Sequence, residues 1–367
     1  MPLGSFGGDK WLEYYYTLDS GNLSPILDNP ACPPACPGTL IRGPIDFRHV
    51  SLGGYVDPEL KPMQMQEFVV GAERELASNL SVSARYVRKW IVRGIEDTGS
   101  VDADQNEIYV IANPGEGYAE QAHAFSDGSG TVPLPKPKRE YDGVELALNK
   151  RMSNNWSGRV SYLWSRLYGN YSGLSQTDEN GRQSPNIGRL FDYPLMMFGQ
   201  DGQPVFGPLA TDRPHQFKAQ FIYDFNFGLS AGLNWFGASG LPRSREMGFL
   251  PPNNFPVNYL GRNSDGRLPF YSQADLYAQY RLKLGERSAL TFSMNVINLL
   301  DQDTAVNYYP TEHYQNGVTG DLDAFFRGQL NFQTLAQQQG MLTDARFLKD
   351  NGYQGVRSIR FGLKFSF

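Results

Sequence analysis

The sequence has little of what catalytic and metal-binding chains usually display, with only two cysteines and four histidines in 367 residues. It contains no apolar run approaching the ~18 residues that a membrane-spanning helix needs, which excludes helical membrane spans. Basic charge is not in excess: 33 Lys plus Arg face 38 Asp plus Glu, giving a net charge of -5 and a pI near 5.5. That balance argues against a nucleic-acid partner, which is met by a basic patch. A mean hydropathy of -0.44 equals that of a soluble protein. It does not exclude a membrane, because a transmembrane barrel shows only every second residue to lipid.

The two cysteines fall in Ala31-Cys32-Pro33-Pro34-Ala35-Cys36-Pro37, with no His or further Cys at zinc-finger spacing. A local Cys32–Cys36 disulfide in an oxidising compartment is the expectation, with two free surface thiols as the alternative. His49, His123, His215 and His313 fall in loops or at a strand start, without a second His or a carboxylate at ligand spacing. Asp301 with Asp303, and Asp321 with Asp323, lack the remaining ligands of a calcium loop. No catalytic, metal or cofactor site is therefore assigned, and no enzyme activity is expected. The opening residues Met1–Phe6 show no basic stretch followed by an apolar one, so an export signal is expected to lie outside this sequence.

Aromatics, glycine and proline are plentiful: 21 Tyr, 23 Phe, 39 Gly and 24 Pro favour strands and turns over helices. The chain has a rhythm of paired β-patterned runs. Met65 to Leu76 joins Leu80 to Ile95 across Ala77-Ser78-Asn79, and Tyr141 to Arg151 joins Trp156 to Tyr168 across Met152-Ser153-Asn154-Asn155. His215 to Phe225 joins Leu229 to Ala238 across Asn226-Phe227-Gly228, and Tyr271 to Leu284 joins Ser288 to Leu299 across Gly285-Glu286-Arg287. A last run spans Gly355 to Phe367. Two further strands are suggested around Leu12 to Leu18 and Leu40 to Val50, giving about nine to eleven in all.

Connections between the pairs run to roughly 30–55 residues, far beyond the usual loop of about 4–6. Short turns at one end and long loops at the other are the pattern of an outer-membrane barrel, and the long stretches read as solvated extracellular loops. Period two supports this. Ile359, Phe361, Leu363, Phe365 and Phe367 alternate with Ser358, Arg360, Gly362, Lys364 and Ser366. The competing soluble sandwich would need shorter strands, since those here reach about 11–14 residues, enough to cross a tilted membrane wall. Polar-face Arg159, Lys218, Arg281, Lys283, Arg360 and Lys364, with Glu145, Asp224 and Asp275, are expected to line the barrel interior.

The fold class expected is all-β: a transmembrane antiparallel β-barrel segment. Residues 1–63 are read as partial strands with the Cys32–Cys36 loop, and residues 64–367 as the main barrel segment.

The final alternation, Ile359, Phe361, Leu363, Phe365 and Phe367, resembles the C-terminal assembly signal of bacterial outer-membrane barrels. Four internal stretches resemble TonB-dependent outer-membrane transporters, in particular their Oar-like branch. They are Tyr141–Leu148 with Lys150–Trp156, then Asp212–Phe217, Ser239–Pro242 and Asn295–Asp301. The likeness runs from about Met65 to Phe367. It implies residence in the outer membrane of a Gram-negative-type bacterium. It also implies contact with outer-membrane lipid, insertion by the barrel assembly machinery, and energised uptake of a bulky nutrient or peptide-like substrate.

Members of that family carry a signal peptide, a TonB-engaging box, a plug and 22 strands. This sequence reads as the C-terminal part of such a barrel, linked to TonB and the plug only through an N-terminal portion it does not contain. The loop aromatics Tyr168, Tyr171, Phe191, Tyr193, Phe198, Tyr259, Tyr308, Tyr309 and Tyr314 could offer stacking surfaces to substrate, or simply pack the loops together. Rival readings are a self-contained ten-stranded pore or surface hydrolase, and a surface adhesin.

Overall fold

A computed structural model describes residues 11–17, 39–47, 56–101, 107–171, 193–250, 255–285, 287–313 and 317–367. Cys32, Cys36, Phe191 and Tyr314 lie outside the described residues, so the disulfide expectation falls there too. The chain divides into two compact units, Met1–Pro58 and Glu59–Phe367. In the first, Trp11–Thr17 pairs antiparallel with Thr39–Phe47, over the two stretches where the sequence suggests additional strands.

The second unit is built on a wall of nine antiparallel strands, each beside its neighbour in sequence. They are β1 (Gln64–Ala77), β2 (Leu80–Arg93), β3 (Arg139–Ser153), β4 (Trp156–Gly169) and β5 (His215–Asp224). Then come β6 (Leu229–Ala238), β7 (Tyr271–Lys283), β8 (Ala289–Ile297) and β9 (Ser358–Ser366). Every strand expected from the alternation is present, within a few residues of its expected ends.

Turn chemistry sets the register at the short end. Ser153 pairs with Trp156, leaving Asn154 and Asn155 at φ 51° and 66°. Two successive left-handed residues make a turn whose twist matches that of the flanking strands, and asparagine tolerates that conformation. At the β5–β6 turn Gly228 takes φ 97° while its N–H reaches the Phe225 carbonyl at 3.1 Å. A residue with a Cβ would be strained there.

The register puts like with like across the sheet. One row reads Val82, Leu148, Val160, Ala219, Trp235, Ala274, and the adjacent row reads Ser81, Asn149, Arg159, Gln220, Asn234, Asp275. A slip of one residue would carry every apolar side chain to the polar face, so the alternation itself fixes the pairing. The sheet is open. Among the described residues no strand pairs with the outer edge of β1 or of β9. Nine strands in an unbroken meander also leave β1 and β9 running in the same direction.

The long connections, residues 94–138, 170–214, 239–270 and 298–357, all leave the wall at the end opposite the turns. The sequence reading treats them as solvated, but the structure shows them folded together. Glu96–Val101 pairs with Glu107–Ala112, and Gln121–Ala124 with Thr131–Pro133. Met247–Leu250 lies between Phe255–Val257 and Val318–Thr319, and Ala305–Tyr308 pairs with Asp350–Tyr353.

Two short helices join them, α1 (Leu322–Phe326) and α2 (Phe332–Gln338), N-capped by the side chains of Asp321 and Asn331. Their shared core holds Phe198, Met247, Phe249, Val257, Val318, Phe325 and Phe332, all buried. Phe249 stacks on Phe325 and Phe332 with ring centroids 5.1 and 5.3 Å away. No single loop has enough apolar surface to bury itself, because Gly, Pro and Asn dilute it; four together do.

The two faces predict opposite tolerances. Val160→Arg, on the apolar face midway along β4, should cost about 2–4 kcal/mol, the penalty for a cation at the midplane of a lipid-facing barrel wall. Asn234→Lys, on the polar face of β6, should stay within about 0.5 kcal/mol. Urea midpoints of the membrane-inserted chain, read by heat-modifiable gel mobility, test both.

Candidate functional site

Three features of the second unit bear on function: its polar face, its loop core, and the height of its apolar band. On the polar face, several charges in the first four strands are matched within the wall. Arg85 donates to Glu145 at 2.5 Å, Arg159 stands 3.8 Å from the same carboxylate, and Lys89 lies 3.1 Å from Glu67. Glu145, Arg159, Ser161, Lys218 and Gln220 line a cleft of about 180 Å³. Asp224 accepts from the Ser230 hydroxyl, and Asp275 from the Asn298 N–H and the Gln273 amide. Arg281, Lys283 and Lys364 near the turns, and Arg360 toward the loop end of β9, share this face and make no ion pair among the described residues.

Where wall meets loops, the stretches that carry the family resemblance come together. Asp212, almost wholly buried, accepts from the Leu167 N–H at 2.6 Å and from the Arg267 guanidinium. Arg267 also reaches the Asp212 and Gly240 carbonyls at 2.9 and 3.2 Å. Arg213 donates to the Ser239 carbonyl at 2.7 Å, and His215 and Ser239 pair through their backbones. A Cβ on Gly240 would lie 1.6 Å from the Leu268 carbonyl oxygen, so this position requires glycine.

Asn298 plays the same part at the top of β8. Fully buried at φ 54°, it takes the Gln302 N–H on its carbonyl and gives its amide to the Gln302 and Gly355 carbonyls. His215, at the start of β5, places its Nδ1 2.8 Å from the Tyr162 hydroxyl.

A clasp between the first and last long loops is invisible in the sequence. His123 Nε2 lies 2.5 Å from Asp323 Oδ1, while the Ser126 hydroxyl and N–H donate to Asp323 Oδ2 at 2.5 and 3.0 Å. The His123 ring stacks on Phe326 at 4.7 Å. Arg327 donates to Asp127 at 2.7 Å and lies 4.3 Å from the Phe125 ring centroid. The Ser126 hydroxyl and the His123 imidazole hold the Asp323 carboxyl down at about 2.

The loop aromatics take different positions. Tyr171, Tyr193, Phe198 and Tyr259 are buried in the loop core. Tyr259 donates to Glu312, and burial raises its hydroxyl pKa. Tyr308 is fixed to both backbone groups of Ser244, burial pushing its pKa up to about 12. Tyr309 faces the Arg346 guanidinium at 4.2 Å. Tyr168, at the end of β4, lies on the apolar side of the wall.

The apolar face has a definite height. From Trp156 beside the turns to Arg166, strand β4 rises about 33 Å, and a tilt near 40° leaves ~25 Å along the membrane normal. That is the apolar band of an outer-membrane barrel. On β9, Phe361 and Phe367 are 80% and 95% exposed, with Ile359, Leu363 and Phe365 also outward.

Short turns, long loops, an apolar band of bilayer height and a polar opposite face define the wall of an outer-membrane β-barrel. The chain belongs to the outer membrane beta barrel domain family, whose model matches residues 17–241, more than half of its length. It is similar to the TonB-dependent transporter Oar of Myxococcus xanthus, with 29% identity over 334 residues. That match covers 86% of this chain but 29% of the relative, so the chain spans under a third of the relative's length.

Solved structures with a likeness include the outer membrane transporter YddB from Escherichia coli, at 13% identity and TM-score 0.46, covering 84% of this chain and 33% of that one. The ferripyoverdine receptor of Pseudomonas aeruginosa gives 14% identity and TM-score 0.39, covering 84% and 28%. The protein resides in the outer membrane of a Gram-negative bacterium.

Removing the buried carboxylate with Asp212→Asn should destabilise the wall by about 3 kcal/mol, since Arg267 then keeps its charge with only the Asp212 and Gly240 carbonyls to meet it. The clasp should depend on pH in a definite sense. Because Asp323 has a lowered pKa when folded, its contribution is complete above the ordinary carboxylate range and is lost as pH falls toward about 2. Amide protection factors of residues 121–133, taken relative to the intrinsic exchange rate at each pH, should therefore stay high at neutral pH and fall in strong acid; in Asp323→Ala they should be low throughout.

Proposed function

We propose that this chain supplies the C-terminal barrel wall of a TonB-dependent receptor that takes up a bulky nutrient or peptide-like substrate at the expense of the proton-motive force. The observation carrying this reading is the continuous similarity to the Oar transporter across 86% of the chain. The open wall supports it. An even-stranded barrel built on nine strands needs an odd number more, because only then do the free edges of β1 and β9 find antiparallel neighbours. In lipid each unpaired edge group costs several kcal/mol, so the wall works as part of a larger cylinder.

The wall performs no bond chemistry in this reading. It holds the interior polar face around a plug and carries the loop core as the surface that cargo meets first. Ile359, Phe361, Leu363, Phe365 and Phe367 present the assembly machinery with an exposed apolar edge, and the first and last long loops are held together by the His123–Asp323 clasp. Buried Tyr171, Tyr193 and Tyr259 shape that surface from beneath; Tyr309 is better placed to touch cargo.

Uptake of a fluorescent peptide too large for general porins, measured in cells with and without the chain, tests the reading. Uptake should depend on the chain and collapse when a protonophore dissipates the gradient. Uptake that persists with protonophore, together with a steady conductance of the purified chain in planar bilayers, would replace it with the passive pore.

A further inference from the structure

The lipid-facing side of the wall does not end in aromatics alone. Directly above the oily row that includes Val144 and Trp164, the next row across β2, β3 and β4 reads Arg88, Asp142, Arg166, and the one above reads Trp90, Glu140, Tyr168. These positions share the parity of Leu146, Leu148 and Val160, so they face the bilayer. They stand where the ~25 Å band gives way to headgroups.

With Lys138, which immediately precedes β3, the cations gathered here outnumber the acids beside them by three to two. Asp142 accepts from the Tyr86 hydroxyl at 2.6 Å and from Arg88 at a long 3.4 Å, and Lys138 lies 3.4 Å from Glu140. Arg166 has no carboxylate partner among the described residues. Its guanidinium lies 4.2 Å from the Tyr168 ring centroid, and the Lys138 ammonium lies 5.6 Å from the same ring. Three cations against two carboxylates, Arg166 and Lys138 at the Tyr168 ring and Arg88 5.7 Å from the Trp90 ring centroid, leave a positive seat with open donors. An arginine fork and an ammonium are suited to phosphate oxygens.

The turn end of the same strands offers a contrast. Lys150 lies 4.0 Å from the Trp156 ring centroid but spends its protons on the Arg151, Ser153 and Trp156 carbonyls and the Ser153 hydroxyl. It pins the turn and leaves little for a ligand.

We propose that Arg88, Lys138, Arg166 and Tyr168 form a seat for the phosphate-bearing headgroup of an outer-leaflet lipid. The acyl chains would lie along the oily rows below, continuous with the band. The inference needs only a wall that sits in the outer membrane, so it stands or falls apart from the uptake reading.

The test uses the full chain extracted from outer membranes in a mild nonionic detergent, with retained lipid measured by native mass spectrometry and by phosphate assay. The wild type should keep a phosphate-bearing glycolipid at low salt and release it at high salt, where such pairs are screened. The R88Q/R166Q double variant should keep at least about fivefold less, a loss in keeping with two charge-assisted contacts. Heat-modifiable mobility confirms that the variant is inserted. Should it fail to insert, the single variant R166Q, which removes no ion pair, should show the same direction of loss.

A control on the opposite face, R281Q/K364Q, should retain lipid like the wild type. Equal retention by R88Q/R166Q and wild type, or an equal loss in R281Q/K364Q, would overturn the proposal. Displacement of the bound lipid by millimolar inorganic phosphate alone would also overturn it, showing a site for free anion.

Discussion

Everything in this wall depends on hydrocarbon offering no hydrogen-bond partner. A backbone placed in lipid must satisfy its N–H and C=O groups within the protein, and for a strand that means a neighbour on each side. The nine-stranded meander meets this demand everywhere except along β1 and β9. The same solvent sorts the side chains. With lipid on one side and a water-rich interior on the other, residues must alternate, and the alternation then locks each strand to a single register.

The two ends of the wall answer different needs. At the short end, turns of two or three residues need only left-handed backbone, supplied by Asn154, Asn155 and Gly228. At the other end the connections build a folded layer with its own buried aromatics, tied to the wall by polar corners. Asp212 with Arg267, and Asn298 with Gln302 and Gly355, satisfy buried groups where strands hand over to loops. Such networks are valuable only when complete, because a half-satisfied polar cluster in a dry site is worse than an apolar one. The glycolipid seat belongs to this junction too, on its outer surface.

The wall was legible in the sequence because a period of two is local: Phe361 and Leu363 declare their face without reference to any other part of the chain. The loop layer was not. Helices of five and seven residues are too short to show a helical period. The contact between His123 and Asp323 joins residues 200 positions apart, and no spacing rule reaches that far. Tyr168 shows a third kind of limit. It looks like a loop aromatic from composition, but the pairing of β3 with β4 extends far enough to carry it onto the bilayer side. The stretches Asp212–Phe217, Ser239–Pro242 and Asn295–Asp301 were recognisable as family features, yet their physical task emerged only when they met at shared corners.

The common core of the four loops has a kinetic consequence. Its members come from connections separated by pairs of wall strands, so no hairpin on its own can acquire a finished outer layer. Closing chain segments of such length is slow compared with forming a tight turn. The hairpins therefore condense first, with their outer connections still open. The aromatic layer assembles last, once neighbouring strands have zipped and brought Phe249, Phe325 and Phe332 within reach. Maturation runs from the turn end outward, and the surface exposed to the medium is the final part of the molecule to take shape.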